Sequence, residues 1–221
     1  DFCLSRGLGD VYKRQVRWWT FEGDASQITR DASGAPTGLK PSVYTDFDAA
    51  IALANKYDLA FDFVLFSAQT GLPTTWFTNP DQRQELANVL APLFDHYKNN
   101  PRILAWELLN EPEYDIWGGK IPEDAAQATV KLLASTVHAH TANAVTVGSA
   151  TLDGVLMWTG LGLDFYAPHW YDHMDTGLQC ARCVDVPTVR TTYGIDSIPI
   201  VVGEFQGTPE TDTLQRLKDF R

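Results

Sequence analysis

The sequence predicts an α/β fold of the (β/α)8 barrel type, with about six of the eight strands visible and the barrel incomplete at both ends. Three observations carry this. Strand-length apolar runs alternate with amphipathic helical segments, polar residues follow directly on the ends of those runs, and no Gly-rich phosphate loop of the kind found in open doubly wound sheets is present. The 221 residues, 44% of them apolar, suffice for one large domain with a buried core. A formal charge of −11 has the wrong sign for tracking a phosphate backbone, so nucleic acid is not expected as a partner. No run of about 18 apolar residues occurs, so a helical membrane span is not expected either.

Residues 1–15 lack an apolar period of 2 or 3.6 and abut the strand-like VRWWTF without a turn signal. They are similar to translated adapter sequence and are read as a non-native leader, which leaves residues 16–221 as a partial (β/α)8 catalytic domain. Residues 16–21 read as a strand and the Gly- and Asp-rich residues 23–41 as a loop. Thr45 and Asp48 suggest a capping box for a first helix, with Phe47, Ile51 and Ala54 at helical spacing. Residues 59–67 form an apolar run interrupted only by Asp62, suited to a strand buried on both faces. Asn79, Pro80 and Gln82 supply N-cap, first-turn proline and capping partner to a second helix, whose stripe is Leu86, Val89, Leu90, Leu93 and Phe94.

Asn99, Asn100 and Pro101 end that helix, and residues 103–109 are the next strand. Pro122 opens a third helix with Ala126, Val130, Leu133 and Val137 inward. Strands are expected at 144–147, 164–167 and 198–202. The final segment, DTLQRLKDFR, stops inside what reads as a helix. Strands recur roughly every 35 to 45 residues, enough for a crossover helix between parallel neighbours.

Asn110 and Glu111, His169 and Tyr171, and Glu204 each follow an apolar strand, as on the active rim of a barrel. Two carboxylates on separate strand ends suit glycoside hydrolysis, in which one protonates the leaving oxygen while the other attacks or stabilises the anomeric carbon. Asn110 offers an amide to a sugar hydroxyl. Gly203 removes a side chain beside Glu204, so that a neighbour can approach closely.

The pieces LLNEPE, PHWYD and IPIVVGEF, in this order and spacing, resemble the clan A glycoside hydrolases, most of all the cellulase and mannanase type of family 5. The resemblance covers about residues 16–205. It implies a retaining double displacement, with Glu111 as acid/base after the barrel's fourth strand and Glu204 as nucleophile after its seventh. It also implies that Asn110 contacts the sugar 2-hydroxyl. His169 and Tyr171 match an H-x-Y pair whose tyrosine hydrogen-bonds the nucleophile, and Arg17 matches an arginine that keeps the nucleophile ionised. The family's usual histidine near the end of the third strand is missing from FVLFSAQTG. An adjacent guanidinium would favour the charged form of Glu204, and burial would keep Glu111 protonated. Retention requires carboxyl groups about 5 to 5.5 Å apart, against roughly 6.5 to 9.5 Å for inversion.

Of seven tryptophans, Trp170, Trp76 and Trp117 are expected to stack on pyranose rings, while Trp106 and Trp158 are expected in the core. Cys180, Cys183 and His173 fall short of the four ligands of a structural zinc site, so a small loop disulfide is expected there. Asp-rich residues 24–31 read as a solvated loop. No metal and no cofactor is expected. The reading is an extracellular β-glycosidase acting on a β-linked oligo- or polysaccharide, β-glucan or β-mannan. Its rivals are a non-catalytic carbohydrate-binding barrel and a metal-dependent barrel enzyme.

Overall fold

The computed structural model describes residues 15–21, 27–67, 72–171, 190–192 and 194–205. Most of the leader, Cys3, His173, Cys180, Cys183, residues 24–26 of the Asp-rich loop and the C-terminal helical segment lie outside the described residues. Gln15, set with the leader above, opens the first strand, β1 (Gln15–Trp19), and pairs with Ala60. The segment expected as loop contains an antiparallel hairpin, β2 (Ile28–Arg30) and β3 (Pro36–Leu39). Its turn is built by Asp31, whose Oδ1 accepts from Ser33 N, Ser33 Oγ and Ala35 N, and by Gly34 at φ 86°. Strands this short carry too few residues to show a period.

Helix α1 (Pro41–Tyr57) begins earlier than Thr45 and has Lys40 as its N-cap. The expected Thr45–Asp48 capping box is therefore an interior pair, because Pro41 already supplies a helical φ at the first position. β4 (Ala60–Ser67), a short α2 (Thr75–Thr78) and α3 (Pro80–Tyr97) follow. At α3 the expected cap forms, Asn79 accepting from Asp81 N and Gln82 N. Then come β5 (Ile103–Asn110), α4 (Glu113–Trp117), α5 (Glu123–His140), β6 (Ala144–Ser149), a 3₁₀ turn (Gly154–Trp158), β7 (Ala167–Trp170) and β8 (Glu204–Phe205).

Six strands form one parallel sheet in the order β1-β4-β5-β6-β7-β8, each added beside its predecessor as in a βα barrel. Two expected strands are displaced. β7 starts at Ala167 rather than 164, since the Asp164 carboxylate caps the neighbouring strand by accepting from Val145 N. The chain at 199–203 runs beside β7 through Tyr166 N to Pro199 O, Val201 N to Tyr166 O and Gly203 N to Pro168 O. The named strand β8 continues that ladder with Glu204 opposite His169.

The sheet's outer face carries Phe61, Phe63 and Trp106, packed on the helices. The Phe63 ring centroid is 4.5 Å from Phe47 of α1, and Trp106 is 5.0 Å from Phe94 of α3. Ala126, Val130, Leu133 and Val137 of α5 are buried as expected. The sheet is curled: Arg17 of β1 bonds Glu204 of β8, residues that a flat sheet of six strands would hold roughly 24 Å apart at about 4.8 Å per step. Asn79→Ala should cost about 1 kcal/mol through loss of the α3 cap. The cost would be read as a lower urea midpoint at unchanged slope.

Candidate active site

Glu107 and Asn110 lie three positions apart on β5, a spacing that points side chains to opposite faces of a regular strand. The register against β6 shifts between them, from Glu107 opposite Thr146 to Asn110 opposite Gly148. This bulge resets the alternation and turns both side chains to the concave face. There Arg17 gathers them: Nε donates to Glu107 Oε2 at 2.7 Å, Nη2 to Glu107 Oε1 and to Asn110 Oδ1 at 2.6 Å, and Nη1 to Glu204 Oε1. Gly148 leaves the room for this, because a Cβ there would run into Glu107 and come within 3.0 Å of Arg17 Nη2.

Glu111 follows the bulge at φ 49°, left-handed for a non-glycine residue, and its backbone N–H donates to Gly148 O at 2.6 Å. Such a conformation costs on the order of 1–3 kcal/mol and persists only when its surroundings enforce it. It points the Glu111 carboxylate at His169, Nδ1 to Oε1 at 2.9 Å. His169 is fully buried, and the close approach made possible by Gly203 is that of its imidazole, whose Nε2 would lie 3.2 Å from a Cβ at 203. His169 Nδ1 is also 3.7 Å from Glu204 Oε2, to which the Tyr171 hydroxyl donates at 2.5 Å.

Burial pushes the Glu204 carboxyl up, but attraction to His169, the Tyr171 hydrogen bond and Arg17 outweigh it and hold the group below the usual carboxylate range. Tyr171 moves the other way: burial and its bond to Glu204 raise the phenol, which keeps it a donor. Burial alone would lower Arg17, yet its bonds to Glu107 and the charge of Glu204 raise it. Glu111 is not walled in by apolar groups, since its side chain is 15% exposed and faces an imidazole.

The structure thus brings Arg17, Asn110, Glu111, His169, Tyr171 and Glu204 together. It corrects two of the tryptophans. Trp76 is fully buried, its Nε1 donating to Gly34 O at 2.9 Å and its ring covered by the Arg30 guanidinium at 4.9 Å, so it offers no face to a sugar. Trp170 is 1% exposed and packs in the core. Trp117 is 52% exposed and stands edge-on to Tyr114 at 5.7 Å. Trp106 and Trp158 are buried as expected.

Three acidic residues at or near the site were not singled out as functional from sequence. Glu107 is fully buried against Arg17. Asp62, also buried, is pushed well above the usual range by desolvation and by Glu107, against the opposing pull of Arg17. Glu113, two residues beyond Glu111 in the chain, is fully buried. The available signal was the same for Asp62 and Glu107: an acid inside an otherwise apolar strand.

One ligand atom each from Glu111, His169 and Glu204 lie within 4.8 Å of one another, a donor set of the kind that holds a metal ion. Glu204 already has a cation on Oε1 and a phenol on Oε2, so a dication there would sit against the Arg17 guanidinium. The set fits a carboxylate pair with fixed counter-charges better than a metal centre.

A curled parallel sheet with two carboxylates on one rim defines a protein of the (β/α)8 barrel class. No family model matches the chain. In sequence it is similar to a mannan endo-1,4-β-mannosidase from Cryptopygus antarcticus, 26% identical over 237 residues that take in 85% of this chain and 60% of that protein. The chain therefore spans about three-fifths of that relative's length. In fold it is similar to a β-mannanase from the blue mussel Mytilus edulis (TM-score 0.69, 15% identity, 93% of this chain and 79% of the other). It is also similar to a tri-modular family 5, subfamily 4 endo-β-1,4-glucanase from Bacillus licheniformis (TM-score 0.66, 13% identity, 94% and 44%). The resemblance to clan A, and within it to the cellulase and mannanase type of family 5, is borne out by these relatives.

Because the folded-state pKa of Glu204 is depressed, its contribution to stability is complete above the ordinary carboxylate range and drains away as pH falls through the folded value. Tyr171→Phe removes one of the groups that depress it. The Glu204 carboxyl resonance followed by NMR should then titrate at higher pH than in the wild type, with acid unfolding starting correspondingly higher.

Proposed function

We propose that the chain is catalytic barrel sequence of a retaining endo-type β-glycosidase that hydrolyses a β-linked polysaccharide, with β-1,4-mannan the first substrate to test and β-glucan the second. The observation that carries this reading is the pair Glu111 and Glu204, whose oxygens approach within 4.8 Å across His169. So close an approach of the nearest oxygens supports the closely set pair of a retaining enzyme rather than the wider pair that leaves room for a water.

In the first step a Glu204 oxygen attacks the anomeric carbon, the glycosidic C–O bond breaks, and the leaving oxygen takes a proton from Glu111. In the second, Glu111 takes a proton from water as the water oxygen attacks the same carbon, and the ester to Glu204 is released. Arg17 and Tyr171 hold Glu204 ionised. His169 orients Glu111, and the Asn110 amide, fixed by Arg17 through Oδ1, is placed to meet the 2-hydroxyl. Exposed Trp117, at the end of the short helix that follows Glu111, supplies a stacking face for the sugar chain. No redox or group-carrying cofactor enters. A polymeric glycan too large to cross a membrane puts such an enzyme outside the cell; no helix among the described residues is long and apolar enough to cross one.

Incubation with 2-deoxy-2-fluoro-β-mannosides and β-glucosides should leave a covalent sugar on the peptide that contains Glu204, seen by mass spectrometry. No adduct on folded protein that binds β-glycan would instead favour a carbohydrate-binding barrel without turnover. Glu111→Ala should lower kcat on an oligosaccharide about 10²- to 10⁴-fold, the range of a positioned general acid. Exhaustive chelation should leave the rate unchanged, whereas loss that a divalent ion restores would favour a metal-dependent enzyme.

A further inference from the structure

The Glu113 carboxylate is completely buried, yet three donors on two other elements converge on it. Oε1 accepts from Ser149 Oγ, at the end of β6, and from Trp158 Nε1 at 2.7 Å, at the end of the 3₁₀ turn. Oε2 accepts from Ala150 N at 3.0 Å. The space is cut to fit: a Cβ at Gly154 would lie 2.9 Å from Glu113 Oε1 and 2.8 Å from Ser149 Oγ. None of these groups touches the reacting carboxylates.

Glu113 is two residues beyond Glu111, on the first turn of α4. Glu111 is held to β6 from behind by its own N–H on Gly148 O, and Glu113 fixes the chain to the next residues of the same strand end. Two anchors on either side of the left-handed residue are what keep it from relaxing to a common backbone conformation, which would swing its carboxylate off His169 Nδ1.

We propose that Glu113 is a positioning residue for the acid/base: by clamping α4 to the end of β6 it holds Glu111 in its strained, productive conformation. This rests on the retaining-glycosidase reading above. The clamp acts only on the group that moves protons, so within the first step its loss falls on glycosides that need a proton delivered to the leaving oxygen, and in the second step on the activation of water. A glycoside whose leaving group is a stable anion, such as a dinitrophenolate, departs without that proton.

The test compares kcat/KM, which reports the glycosylation step, for an unactivated oligosaccharide and for the dinitrophenyl glycoside of the same sugar, in wild type and Glu113→Ala. The clamp predicts a fall in kcat/KM on the order of 10- to 100-fold on the oligosaccharide, part of what a general acid supplies, with little change in kcat/KM on the dinitrophenyl glycoside, whose kcat and KM fall together as the second step slows. Equal losses on both substrates, as from general destabilisation, would overturn it, and so would no loss on either. If the alanine variant does not fold, Glu113→Gln keeps an oxygen for Ser149 and Trp158 and gives up only Ala150 N. The same selective loss, in smaller measure, is then expected, and its absence counts against the clamp. Trapping of Glu204 by the fluoro sugar in the wild type separates the two levels: an adduct with no selective loss rejects the clamp alone, while failure to trap or turn over any glycoside rejects the function and the clamp with it.

Discussion

The concave face of this sheet is organised around one buried cation. Arg17 sits among Glu107, Asn110, Glu204 and, more distantly, Asp62, and its guanidinium meets the first three with separate donors. A planar fork with several donors does this where an ammonium could not, because each N–H has a fixed direction and each direction ends on a different acceptor. Taking charges out of water is costly unless they are paired with good geometry, so the cluster is stable only as a set. The set also divides the labour: Glu107 holds the arginine in place with two bonds, and Nη1 is left to govern Glu204.

The two carboxylates of the rim are tuned by different means. Glu204 is surrounded by charge and a phenol, so its state is set electrostatically. Glu111 is governed by backbone: a bulge before it, a left-handed φ at it and a buried acid after it decide where its carboxylate points. His169 lies between, with one nitrogen near both. Two chemically identical side chains acquire distinct behaviour because one is placed in a field and the other is aimed.

Much of the barrel was legible because its signals are local. The runs that became β4 and β5 are apolar on both faces, and the cap of α3 is written in adjacent residues. The hairpin of β2 and β3 was not legible, since strands of three and four residues leave no period to detect. β7 was read too early because residues 164–166 look like strand in the chain, whereas the Asp164 carboxylate is turned to the neighbouring strand, where it accepts from Val145 N. Asn110, Glu111, His169, Tyr171 and Glu204 were found because they come just after apolar runs, and Arg17 because of the family resemblance. Glu107 was missed because its partner is 90 residues away, and nothing beside it in the chain announces a cation. The same limit misjudged Trp76: only the remote Gly34 carbonyl and Arg30 distinguish a sealed indole from an open one such as Trp117.

Arg17 and Glu204 are 187 residues apart, on the two outermost strands of the described sheet. The ion pair can close only after every intervening strand has docked and the sheet has bent round on itself, so its loop-closure entropy is met late in folding. Until then Glu204 has no guanidinium to offset its desolvation. On the function proposed above, competence for chemistry is therefore acquired in the last stage of assembly rather than in parts. A chain that stalls with some strands unpaired would then carry Glu111 and its anchors but an untuned Glu204, and so would remain inert instead of acting unselectively.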